Sequence, residues 1–136
     1  VISSSFIHFF SCVATDIHLV ASQRIKLSHL PPHHPSLAST FSNMGLIHRK
    51  MGNFKKALQF YEDTLEVQQK SLLPGNPAFI VTYGKLAILL MEDLHDCHRA
   101  IEYAEKAFKL AEQIYPPKHP EIEKRRQYLE QLKSKR

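Results

Sequence analysis

A helical hairpin written twice, at a spacing of about 42 residues, constrains this chain more than any other feature of it. The better copy runs from His34 to Phe60. In its first helix Phe41, Met44, Gly45 and His48 fall at i, i+3, i+4 and i+7, one face of a 3.6-residue period, and Gly45 keeps that face shallow. Gly52 suits the left-handed position just past a helix end, and Asn53 is expected to accept a hydrogen bond from the free amides of the next helix. Phe54, Ala57, Leu58, Tyr61 and Leu65 then form a second stripe at helical spacing, with small Ala57 allowing close approach.

Adding 42 to the first-helix positions recovers the same chemistry: Pro35 maps to Pro77, Phe41 to Tyr83, Met44 to Leu86 and Gly45 to Ala87. After a one-residue insertion between Met91 and His95 the offset becomes 43, and Asn53 maps to Asp96, Ala57 to Ala100, Leu58 to Ile101 and Leu65 to Phe108. A cap and a core stripe are thus restored together. The boundary recurs too, as L-P-P-H-H-P (Leu30 to Pro35), L-L-P-G-N-P (Leu72 to Pro77) and Y-P-P-K-H-P (Tyr115 to Pro120). Proline pairs stop one helix, and the last proline suits the first turn of the next, where its missing N–H costs nothing.

The hairpin resembles a tetratricopeptide repeat: Phe41, Met44-Gly45, His48, Gly52, Ala57, Tyr61 and Thr64 stand at the places of that pattern. The period of about 42 and the proline boundary look like the longer repeats of the kinesin light chain, not the usual repeat of about 34. The resemblance covers residues 11 to 130 and implies an all-α, right-handed superhelix of antiparallel helical hairpins. The expected division is a degenerate partial repeat over residues 1–33, read as the trace of a truncation, repeats over 34–75 and 76–118, and a capping helix over 119–136. Phe41, Gly45, Ala57, Tyr61, Tyr83, Ala87, Ala100 and Ala104 are expected to pack the repeats.

The family implies that the first helices line a concave groove. Carried onto this chain, the groove residues are Ser39, Ser42, Asn43, Leu46 and Arg49 in one repeat and Val81, Lys85, Ile88 and Met91 in the next. In kinesin-light-chain-like repeats an Asn at the position of Asn43 bonds the backbone of an extended peptide; the counterparts here are Lys85 and Tyr128. Asn43 with Arg49 and Lys85 would suit a partner peptide carrying acidic residues. The expected function is therefore non-enzymatic protein–protein interaction. A rival reading makes the array the C-terminal tail of a larger enzyme or nucleotide-dependent switch, and adjacent repeats of a longer chain fit either.

Composition narrows the alternatives. The chain has 136 residues, is 43% hydrophobic, and contains no apolar run of transmembrane length. Its two cysteines, Cys12 and Cys97, suggest no disulfide framework, so a reducing, cytoplasmic setting is the simpler expectation. The net charge of +5 is concentrated: from Lys118 onward seven Lys or Arg stand against three Glu, leaving eleven against ten elsewhere. Without interleaved aromatics this basic end reads as a solvated cap, not a nucleic-acid or membrane site.

Residues 1 to 10, V-I-S-S-S-F-I-H-F-F, lack the basic start of a secretory signal, and Ser11 falls at the repeat position of Asn53 and Asp96. A helix is expected from Cys12 to Leu30, although Val13, Ile17, Val20 and Arg24 compete with the repeat's stripe. Helices are further expected over 36–50, 53–72, 78–93 and 97–115. The last helix should turn inward Ile122, Leu129 and Leu132. His95, Asp96, Cys97 and His98, and His29, His33 and His34, form two histidine-rich groups, but neither has metal-ligand spacing. Asp96 is wanted as a cap and His95 replaces the turn glycine. With four glycines in all and no G-x-S-x-G, no catalytic constellation or cofactor is expected.

Overall fold

A computed structural model of the chain describes residues 34–136. The expected helix over 12–30, together with Ser11, Cys12, His29 and His33, lies outside them. Within the described residues five helices follow one another: α1 (Pro35–Lys50), α2 (Phe54–Ser71), α3 (Ala78–Glu92), α4 (Cys97–Ile114) and α5 (Pro120–Ser134). Helix α1 packs on α2, α2 on α3, α3 on α4 and α4 on α5. The described residues are thus two helical hairpins and a closing helix, an all-α stack of the kind the periodicity demands.

The turns inside the hairpins follow from local chemistry. Gly52 has φ 82°, where a side chain is strained, and its counterpart His95 takes φ 56° in the second hairpin. Asp96 accepts from the amide of Arg99 at 3.1 Å. Asn53 departs from expectation: it holds the N-cap position, and its carbonyl receives the amide of Ala57 at 3.0 Å, but its side chain makes no cap bond. A carboxylate gains from the positive end of the helix dipole what a neutral amide does not, so the two copies differ.

The junctions between units are capped by side chains the periodicity does not reveal. His34 Nδ1 accepts from the amide of Ser36 at 3.2 Å, Asn76 Oδ1 from Ala78 at 2.9 Å, and His119 Nδ1 from Glu121 at 3.2 Å. The proline that follows each stands at the first helical position in α1 and α5; Pro77 instead sits one place ahead of α3. The backbone bonds are nonetheless equivalent, Leu37 to His34, Phe79 to Asn76 and Ile122 to His119, so the offset is one of helix assignment.

Helix α3 carries the core. Leu86 and Ala87 are buried as their mapping from Met44 and Gly45 predicts, with Ile80 and Leu90 at helical spacing from them, but Phe79 and Leu89, off that stripe, are buried too. The reason is its place between α2 and α4: Leu86 and Leu89 pack with Ala57 and Tyr61 of α2, while Ala87 and Leu90 pack with Ala100, Ile101 and Ala104 of α4. Burying each such leucine contributes about 1.5–3 kcal/mol. Ile122, Leu129 and Leu132 turn α5 inward, as their spacing suggests.

Candidate functional site

The first helices of the two hairpins, α1 and α3, are bridged directly by side chains, and the residues that bridge them mark out an α1–α3 face. Two side-chain rungs cross from α1 to α3. Lys85 Nζ donates to Ser42 Oγ at 2.6 Å. Seven residues further along each helix, Arg49 donates through Nη2 to Glu92 Oε2 at 2.9 Å and through Nε to Asp93 Oδ2 at 2.5 Å.

The two rungs differ in electrostatics. No carboxylate lies within ion-pair distance of Lys85 among the described residues, and burial lowers its ammonium below the ordinary lysine range. A half-buried cation without a counter-charge retains its electrostatic demand for an anion. Arg49 is the reverse case: burial pulls its guanidinium down, but Asp93 and Glu92 outweigh that pull and hold it above its ordinary value. The sequence reading has Arg49 help to receive an acidic ligand; here its Nε and Nη2 already donate to Asp93 and Glu92, which sets it apart from Lys85. Glu92 and Asp93 had no role in the sequence reading; their signal is their 43- and 44-residue spacing from Arg49.

Of the remaining expected groove residues, Ser39 and Asn43 are exposed, Ser42, Ile88 and Met91 half-buried, and Leu46 and Val81 stand 40% and 52% exposed. Leu46 and Ile88 occupy equivalent positions and lie between the two rungs. At the α5 end Tyr128 replaces Lys85. Its hydroxyl is buried without a hydrogen-bond partner among the described residues, and burial raises its pKa, Glu92 pushing the same way and Arg125 and Arg49 opposing. Arg125 bonds Glu121 at 2.7 Å and lies so near Gly84 that an added Cβ there would come within 2.6 Å of it.

The expected packing residues sit behind this face. Ala57, Tyr61, Ala87, Ala100 and Ala104 are at most 3% exposed, and Gly45 is buried against the Tyr61 ring. Phe41 and Tyr83 are half-buried, each stacked on an aromatic of the next helix: Phe41 on Phe60 with ring centroids 6.2 Å apart, and Tyr83 on Tyr103 at 6.0 Å. Phe60 and Tyr103 were missed, although they too repeat at 43. Arg126, in the place of Phe41 and Tyr83, lies over the Phe108 ring at 5.6 Å.

Among the described residues no group of three His, Cys, Asp or Glu side chains converges as a metal site. Asp96 is occupied as a cap, His98 faces Glu102 at 3.3 Å, and Cys97 contacts Met91 with sulfurs 3.7 Å apart. No helix among the described residues is long and apolar enough to cross a membrane. At the basic end Arg125 and Lys124 face Glu121, Arg126 faces Glu123 and Lys133 faces Glu105.

Among known families, the one described as Tetratricopeptide repeat matches residues 36–113. No curated protein matches the chain.

Proposed function

The chain belongs to the tetratricopeptide repeat family, and from that premise we propose that the α1–α3 face is a groove that receives an extended segment of a partner protein. Such repeats are interaction modules; the partner and the surface are the proposal. The observation that carries it is Lys85, a half-buried ammonium that bonds a neutral hydroxyl and has no carboxylate partner among the described residues. A carboxylate of the bound segment would supply the missing charge, and exposed Asn43, one repeat away, carries an amide suited to a peptide backbone.

The spacing of the two hairpins supports a likeness to kinesin-light-chain-type repeats. The Gly52/His95 turns, the junction caps and the aromatic pairs all recur at 42 or 43 residues. A cytoplasmic setting fits the free thiol of Cys97.

Binding of the full chain to a peptide array is the test, run beside Asn43→Ala and Lys85→Gln. Circular dichroism should be unchanged in both variants, since neither residue is in the core. Peptides that bind the parent should weaken about ten-fold with Lys85→Gln, the loss of one charge-assisted contact. Equal binding by parent and both variants would remove the groove from consideration.

A further inference from the structure

The α1–α3 face has two ends of opposite charge. Ser42 and Arg49 are seven residues apart on α1, and Lys85 and Glu92 are seven apart on α3. Each pair therefore lies on one side of its helix, separated by about 10 Å at 1.5 Å per residue. The Ser42–Lys85 rung carries one uncompensated positive charge. At the other rung, one guanidinium meets two carboxylates, which leaves a negative surplus. Glu92 presents that surplus to solvent: its side chain is 61% exposed, against 18% for Asp93. On the corresponding faces of the two helices, Leu46 and half-buried Ile88 fall between the rungs.

From this arrangement we infer that the segment held on the face is a peptide with one acidic and one basic side chain about three residues apart, the acid over Lys85 and the base over Glu92. Three residues of extended chain span about 10 Å, so the separation of the rungs sets the separation of the charges. The residues between them pass over Leu46 and Ile88 and are apolar. A second acidic residue in place of the base would face Glu92 and be repelled, so the two carboxylates act as a specificity element that Arg49 only partly neutralises. This inference rests on the peptide-binding reading and adds the charge order to it.

The test is fluorescence anisotropy of the full chain with five labelled peptides of one length and one apolar centre. They carry an acid and a base three apart, two acids, two bases, an acid alone, or no charge. The acid–base peptide is expected to bind about five-fold more tightly than the two-acid peptide, a typical increment for partly exposed charges. Glu92→Gln should erase that preference and leave the need for the acid, whereas Lys85→Gln should erase the need for the acid. A parent that binds the two-acid peptide as tightly as the acid–base one, or a preference untouched by Glu92→Gln, overturns the inference and leaves peptide binding standing. Failure of all five peptides to bind overturns both.

Discussion

Two glycines in the first hairpin separate two physical demands that look alike in sequence. A Cβ on Gly45 would lie 2.6 Å from Cε1 and 2.7 Å from Cδ1 of the Tyr61 ring, which is 2% exposed and has nowhere to go. A Cβ on Gly52 would meet nothing within 4 Å, but φ 82° strains any side chain there. Gly45→Ala should therefore cost about 1–3 kcal/mol by overpacking despite its better helix propensity, and Gly52→Ala about 1 kcal/mol by backbone strain. Urea denaturation checks both. An added Gly52→Asn, tolerant of the left-handed region, should recover part of the second loss and has no parallel at Gly45. His48 gives a pH-dependent prediction at the same scale. It stacks on Phe60 with ring centroids 5.2 Å apart, its Nδ1 is buried without a partner among the described residues, and burial, aided by Lys56, lowers its pKa from 6.5. The unfolded chain takes up its proton first as pH falls through 6.5, so the stability present above that pH is lost below it. The urea midpoint should drop between pH 7.5 and pH 5.5 by less in His48→Phe than in the parent; an equal drop in both would assign the loss to other groups.

At the scale of the element, helix starts are decided by single acceptors. The stripes of α1 to α5 were legible from spacing because burial on one side imposes a 3.6-residue period. The caps were only half legible. Asp96 was expected and found; Asn53 was expected and its side chain makes no cap bond; His34, Asn76 and His119 cap but had no such role in the sequence reading. Histidine is seldom considered for this role, and only the recurrence of His or Asn directly before proline could have flagged it. His119 also stacks on Tyr115, with ring centroids 4.2 Å and planes 9° apart. His119→Ala should lose about 1 kcal/mol of stability with the cap, and His119→Asn should regain that part, as Asn76 does naturally. If Asn restores nothing, the stacked ring and not the cap is what holds the start of α5.

For the whole molecule the question is what joins one hairpin to the next. Apolar contact of α2 with α3 does most of it, supported by the buried bond from Thr82 Oγ1 to Gln68 Oε1 at 2.7 Å. Arg49 adds the only ion-paired link from α1 to α3 among the described residues. Arg49→Ala should cost about 1–3 kcal/mol, since it leaves the largely covered Asp93 without its partner. Its signature should be loss of coincidence between probes of the two hairpins during denaturation, because nearest-neighbour coupling makes a stack of repeats unfold together. Retained coincidence would place the coupling in the remaining links between the hairpins, the α2–α3 core together with Lys85–Ser42 and the Arg99–Glu62 pair. By itself the sequence determined the helices, their repeat and the small residues between them, because helical period, proline and close packing act over short stretches of chain. Only the tertiary structure decided which charges remain available on the shared face. Arg49 and Lys85 are equally cationic in sequence, but their availability depends on carboxylates more than forty residues away that the stacking brings beside one and not the other.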